Sequence, residues 1–305
     1  INLFFKKLNM KKKSLSAQKI IPNLKNKSLN LIFKNFEKKL DKNQIYCVAI
    51  SGGPDSLALA YLTKCFSDKY KNKFYYYVVD HKLRPESSKE AALVVNLLKK
   101  IKIKCKILKW IGKKPKSNIQ SLARFQRYSL LLKECKKNKI NNIVLGHHKD
   151  DRDENFFIRL TRGSGLKGLV SFSEKSQNFN VNFLRPLINF EKEQLIYISK
   201  KVFKGYINDP SNKDEKFKRI RIRNLINELK KEGFDKDKLN LTLNNLKDSN
   251  EALEFYSNKN IFDNSSFNFK KNQVILNKSF FEQPKEIILR SVTNLMLKIS
   301  KNYYP

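Results

Sequence analysis

The chain has 305 residues, enough for two domains of about 150 residues each. Its 64 Lys and Arg against 28 Asp and Glu leave a formal net charge of +36, a field that favours polyanions and repels basic partners. The four cysteines, Cys47, Cys65, Cys105 and Cys135, are widely spaced in apolar contexts, which argues against a disulfide framework or a zinc cluster; no apolar run approaches the roughly 18 residues of a membrane span. Nucleic acid as partner, no membrane, and a reducing, cytoplasmic setting are the resulting expectations.

Residues 1–40 read as a Lys/Asn-rich extension in which Leu29, Ile32, Phe33, Phe36 and Leu40 recur at helical spacing, predicting a docking helix. Over 41–232 short apolar runs at 45–50, 74–79, 105–108 and 143–145 alternate with helical stretches near 56–66, 88–100 and 119–137. That alternation predicts an α/β fold with a doubly wound, mainly parallel sheet. Over 233–305 the strand signal thins to 273–276, while 239–256 and 284–299 read as helices, predicting a smaller, mostly α-helical domain. The last residues follow a helical pattern without a polar tail, so the natural chain is expected to continue.

In a doubly wound sheet, ligands bind beyond the carboxyl ends of the strands, so chemistry is sought just after each apolar run. The first run leads into Ser51-Gly52-Gly53-Pro54-Asp55-Ser56 and then an apolar helical stretch. Glycines let backbone N–H groups approach an anion, and the following helix N-terminus adds partial positive charge, which together make a phosphate site. The loop is shorter than the G-x-x-x-x-G-K-[ST] loop and lacks its lysine. Residues 163–168 satisfy G-x-G-x-x-G but follow a helical stretch instead of a strand, so no dinucleotide site is expected there.

All three histidines stand at predicted strand ends, in Val79-Asp80-His81 and in Gly146-His147-His148-Lys149-Asp150-Asp151. Adjacent histidines on an extended segment point apart, which disfavours a shared zinc. Asp55, Asp150 and Asp151 instead suit hard-oxygen contact with Mg²⁺ on a nucleotide. Gln120, Arg124 and Arg127 share one helical face, and a run from Lys216 to Arg223 sets cations at alternate positions against Ile220 and Ile222, predicting a basic ridge for RNA phosphates.

The loop Ser51–Ser56 resembles the SGGxDS signature of PP-loop ATP pyrophosphatases. Together with Asp80-His81-Lys82-Leu83-Arg84, the Arg124/Arg127-Tyr128 helix, His147-His148-Lys149-Asp150-Asp151, Arg162–Leu169, Arg185-Pro186-Leu187 and Asn208-Asp209-Pro210-Ser211-Asn212, it resembles the ordered motifs of the tRNA(Ile)-lysidine synthase family over roughly 45–225. The resemblance implies a ligase that uses ATP and Mg²⁺ to adenylate the wobble cytidine of tRNA(Ile) with a CAU anticodon, followed by displacement of AMP by free L-lysine. It implies Ser51, Gly52, Gly53, Pro54, Asp55 and Ser56 for ATP, and Asp55 with Asp151 for the metal. Asp55, Arg124, Asp151 and His147 fall to catalysis; Arg84, Arg127, His148, Glu154, Arg219, Arg221 and Arg223 fall to tRNA or substrate. The base for lysine stays open among His147, His148, Asp151 and Glu154. Arg152 and Asn155 depart from the Gln and Thr usual in the family. A PP-loop tRNA thiolase and a non-catalytic RNA-binding protein are the alternatives.

Overall fold

The structure is a computed structural model that describes residues 26–112, 119–178, 180–207, 215–268 and 273–300. The motif 208–212 lies outside them, as does the side chain of Gln120. The chain falls into two compact units, one of residues up to Glu154 together with Ser173–Ile220, the other of Asn155–Phe172 together with residues from Arg221 onward.

The first unit opens with α1 (Lys27–Glu37), started by Asn26, whose side chain accepts the N–H groups of Ser28 and Leu29. Its apolar stripe, Leu29, Ile32, Phe33 and Phe36, is buried. Next come β1 (Ile45–Ile50), α2 (Pro54–Tyr70), β2 (Lys73–Asp80), α3 (Ser87–Lys99), β3 (Cys105–Lys109), α4 (Ile119–Lys137) and β4 (Asn142–Val144). Then follow α5 (Lys149–Leu160), which crosses into the second unit, the short α6 (Leu166–Leu169) within that unit, and the hairpin β5 (Lys175–Asn178) and β6 (Val181–Leu184). α7 (Lys192–Phe203) completes the first unit before α8 (Lys218–Lys231), which again crosses the division.

The sheet order is β3-β2-β1-β4-β6-β5, parallel throughout except where β5 pairs with β6. β1 is apolar over its whole length because helices cover both of its faces. One core joins α1, α2, α3 and α7 to one face, and a smaller one sets Leu131 and Cys135 of α4 against Cys47, Tyr77 and Ile143 on the other. β2 and β4 flank β1 on opposite sides, so the chain reverses its winding at β1 and opens a crevice beyond the β1 and β4 carboxyl ends. The hairpin turn uses Asn180 at φ +58, a left-handed conformation that Asn tolerates.

Within the second unit, α9 (Lys236–Asn264) packs on α10 (Lys285–Ser300) with the hairpin β7 (Ser265–Asn268) and β8 (Gln273–Leu276) at one end. Ile261, Phe280 and Leu295 form one small core, and Phe156, Leu239 and Leu243 another. Arg290, buried, donates to Glu286 at 2.7 Å and to Asn250 at 2.8 Å, which compensates its desolvation.

One expectation is corrected. The cations from Lys218 to Arg223 do not alternate along an extended ridge, because this segment begins α8. Ile222 and Ile226, one helical turn apart, supply its buried face, and Arg219 and Arg223 share another.

Candidate active site

β1 runs through Ser51, Gly52 and Gly53 directly into α2, with Gly53 at the N-cap and Pro54 in the first turn, where its missing N–H costs nothing. Gly52 has φ +89, and a Cβ there would sit 2.6 Å from Val94 Cγ2 and 3.1 Å from Ile207 Cδ1. The backbone conformation therefore requires glycine, and any side chain here would also have to displace the ends of Val94 and Ile207. Ser56, buried in the first turn, braces the loop: its Oγ accepts from the N–H groups of Ser51 at 3.1 Å and Gly52 at 3.0 Å and donates to the Gly53 carbonyl at 3.0 Å. The product is a tight, preformed turn at the positive end of a 17-residue helix.

The end of β4 lies against this turn. A Cβ on Gly146 would stand 3.2 Å from the Asp55 carbonyl and the Ser56 nitrogen, so the absence of a side chain permits the approach. His147 and His148 follow, and Asp151 accepts the His148 backbone N–H at 3.1 Å, closing the first turn of α5. The buried imidazole of His148 joins two acids: its Nε2 is 3.7 Å from Asp55 Oδ2 and 3.6 Å from Asp151 Oδ2. From α8, Arg219 reaches Asp151 Oδ1 at 3.1 Å and the buried Glu154 Oε2 at 2.7 Å.

These contacts separate the acids electrostatically. Burial raises the Asp55 carboxyl, an effect His148 only partly offsets, and Asp55 Oδ1 is buried without a hydrogen-bond partner. For Asp151 burial also pushes upward, but His148 and Arg219 outweigh it and hold the carboxyl below its usual range. Burial and neighbouring arginines push His147 down to about 3, so its ring is neutral at physiological pH.

Across the crevice, Arg127 of α4 directs Nε and Nη2 at His81 Nε2, both at 3.4 Å, and Arg124 lies over the Tyr128 ring at 5.0 Å. Arg84, between β2 and α3, pairs with Glu90 at 2.9 Å. Arg221 and Arg223 belong to the second unit, whereas Arg219 belongs to the first. Residues 163–168 join α5 to α6 without a preceding strand, and Gly163 takes φ +68 in the turn.

Two residues here received no role in the sequence reading, Lys192, which it did not name, and Asp80, which it named only as part of a motif. Lys192, at the start of α7, contributes an attractive charge to Asp55. Asp80, buried at the end of β2, accepts from Lys82 N at 3.0 Å, Ser87 Oγ at 2.8 Å and Ser88 Oγ at 2.6 Å. Those donors outweigh its burial and keep it ionised. The Asp80-x-Lys82 spacing, an acid two residues before a left-handed position, was the available signal.

Among the described residues no three His, Cys, Asp or Glu side chains gather as a metal-binding set. The unpartnered Asp55 Oδ1 and the neighbouring Asp151 nevertheless fit a Mg²⁺ ion that arrives on phosphates, since this ion takes one or two carboxylates and completes its shell with phosphate and water.

The fold and the braced loop define a PP-loop protein, and the PP-loop domain family matches residues 24–229; the chain belongs to that family. It is 36% identical over 288 residues to the tRNA(Ile)-lysidine synthase of Wolbachia pipientis wMel, covering 91% of this chain and 65% of the relative. To the enzyme of that name from Orientia tsutsugamushi it is 43% identical over 187 residues, covering 61% of this chain and 42% of the relative. The chain thus spans less than two thirds of these relatives' lengths. A solved U34-tRNA thiolase from Methanococcus maripaludis, with its 4Fe–4S cluster, shares the fold at a TM-score of 0.58 and 18% identity, over 67% of this chain and 74% of its own.

Proposed function

We propose that this chain catalyses lysidine formation: ATP-dependent adenylation of the wobble cytidine of tRNA(Ile) bearing a CAU anticodon, then ligation of free L-lysine to C2 with release of AMP. The observation that carries the proposal is the line of charge Asp55–His148–Asp151–Arg219–Glu154 set beside the braced Ser51–Ser56 turn. One end suits a nucleotide's phosphates and the other suits a zwitterion. The names of the relatives in Wolbachia and Orientia support the same reading.

In this proposal the turn and the α2 N-terminus hold pyrophosphate oxygens. Mg²⁺, when bound through Asp55 and Asp151, supplies positive charge to the phosphates. Cytidine O2 forms a bond to the α-phosphorus as the bond to pyrophosphate breaks, and the cations Arg124, Arg127 and Lys192 stabilise the charge that develops. The lysine ε-amine then bonds to C2, the C2–O2 bond breaks, and AMP leaves with that oxygen.

Arg219 and Glu154 pair with each other, a complementary couple that can exchange partners with an amino acid's carboxylate and ammonium. His147, His148, Asp151 and Glu154 are the groups assigned to hold the lysine and take its proton. The basic surplus holds the tRNA, with Arg84, Arg221 and Arg223 among the contacts. A cytoplasmic setting accompanies this reading. Among the described residues no helix is long and apolar enough to cross a membrane.

Sulfur transfer is disfavoured by the cysteines. Cys47, Cys65 and Cys135 are buried in the two cores, and burial pushes the Cys65 and Cys105 thiols up to about 12, away from the thiolate that sulfur chemistry needs.

The test is incorporation of radiolabelled lysine into CAU-anticodon tRNA(Ile) with ATP and Mg²⁺, with Asp55→Ala as control. Label retained in RNA only with ATP and an intact Asp55 supports lysidine synthesis. No label with folded, ATP-binding protein sinks it.

A further inference from the structure

Among the described arginines of the first unit, Arg185 bonds to Ser173 O and Ser176 Oγ and Arg124 lies over the Tyr128 ring. Arg84, Arg152 and Arg219 each bond to an acid, at 2.9, 3.2 and 2.7 Å, which cancels much of their charge. Arg127 directs its hydrogen bonds at His81 Nε2, and no Asp or Glu among the described residues lies within ion-pair distance of it. For Nε2 to accept from a guanidinium, the His81 proton must sit on Nδ1, so the imidazole is neutral. A carboxylate would orient Arg127 equally well but would neutralise it.

The backbone on either side of His81 is tied down, while the Nδ1 of its ring is buried without a hydrogen-bond partner. His81 follows Asp80, whose carboxylate fixes Lys82 at φ +49 and ties Ser87 and Ser88 at the start of α3, while the Asp80 carbonyl accepts from Trp110 N at 2.9 Å. The acceptor therefore stands at the hydrogen-bonded end of β2, and the cation it aims stands on α4. Burial and Arg127 push His81 down to about 4, so it stays in the accepting form through the physiological range.

We propose that His81 is a positioning residue for Arg127: it orients the guanidinium without cancelling its charge, so that the cation meets a phosphate oxygen of the nucleotide or of the RNA backbone. This inference rests on the phosphate-binding reading of the crevice. The function of the neutral acceptor is to combine fixed geometry with retained charge, which an Arg–carboxylate pair cannot do.

The test compares His81→Gln, whose amide oxygen reaches the Nε2 position, with His81→Glu, which reaches it with a negative charge. Binding of α,β-methylene-ATP and of CAU-anticodon tRNA is measured by calorimetry on the full chain, alongside melting temperature. His81→Gln is expected to bind within about threefold of the wild type, and His81→Glu to lose about tenfold or more at an equal or higher melting temperature, since the new ion pair stabilises the fold while quenching the cation. Loss confined to the ATP analogue assigns the nucleotide phosphate, and loss confined to tRNA assigns the backbone; either supports the proposal.

Equal binding by wild type and His81→Glu overturns it, and so does equal weakening by Gln and Glu with the fold intact. Failure of the wild type to bind either ligand instead removes the reading of the crevice on which it rests. If His81→Glu does not fold, Arg127→Gln beside Arg127→Lys decides. Rescue of binding by Lys to near the wild-type level shows that charge without fixed orientation suffices, and overturns the proposal; weak binding by both supports it.

Discussion

Glu154 lies buried with its Oε2 2.7 Å from Nε of Arg219, a residue 65 positions further along the chain. Arg219→Ala takes a charged hydrogen-bond donor away from a buried acid, at a cost of about 1–3 kcal/mol. The paired change Arg219→Met with Glu154→Met removes that couple and is expected to recover part of the loss, the rest reflecting Asp151, which also gives up its 3.1 Å contact with Arg219. Urea unfolding of the single and double variants measures this. Under the proposed function the double variant is expected to stay inactive in the lysine incorporation assay, since stability returns without the couple proposed to meet the amino acid.

Asp55 presents the opposite balance. Its burial raises the carboxyl and leaves Oδ1 without a partner, so its charge is a burden on the ligand-free fold. Asp55→Asn keeps the shape and removes the charge. The expected result is an unchanged or raised melting temperature together with a loss of about 10²–10³ in ATP-dependent lysine incorporation, the pattern of a residue retained for chemistry at the expense of stability. A lowered melting temperature with near-normal turnover would make Asp55 a structural residue.

The parallel sheet was legible because each buried strand is a short, continuous apolar run between helical stretches, and strand ends on one edge bring Asp55, His81 and His148 toward one crevice. β5 was not, since Lys175, Ser176, Gln177 and Asn178 form a polar edge strand with no apolar run to announce it. The start of α8 was misread because Arg-Ile-Arg-Ile-Arg satisfies a two-residue period as readily as a helical one over so short a window. Arg219 illustrates the deeper limit: its acidic partners are more than 60 positions away, and nothing local to 216–223 announces them.

Acid should weaken the fold through its histidines. Burial lowers His147 to about 3 and His81 to about 4, against about 6.5 in an unfolded chain. Between about 6.5 and about 4 the unfolded chain binds protons that these rings refuse, so stability is full above the unfolded value and falls as the pH drops through that window. Asp55, whose carboxyl is raised, works the other way, because protonation relieves its buried charge. Two histidines against one acid give a net loss from pH 7 to pH 5, and His147→Gln with His81→Gln should flatten the dependence of melting temperature on pH. A wild-type profile already flat between pH 5 and 7 would contradict the burial of both rings.

Gly146 and Gly52 separate two ways of damaging the phosphate turn. At Gly146 the backbone conformation admits alanine, but the new Cβ would meet the Asp55 carbonyl and Ser56 nitrogen at 3.2 Å. Backbone cannot swing aside as a side chain can, so the β4 end must withdraw by a few tenths of an ångström, at about 1–3 kcal/mol. At Gly52 the contact is with the flexible ends of Val94 and Ile207, but φ is +89, which alanine adopts only under strain. Gly52→Ala therefore distorts the turn itself and should weaken ATP binding more than it lowers stability. Gly146→Ala should leave the turn closed by Ser56 and weaken lysine incorporation chiefly by shifting His147 and His148 away from Asp55. Calorimetric ATP affinity beside incorporation rate distinguishes them, and equal effects of both changes on ATP affinity would refute this division between the turn and the strand end that faces it.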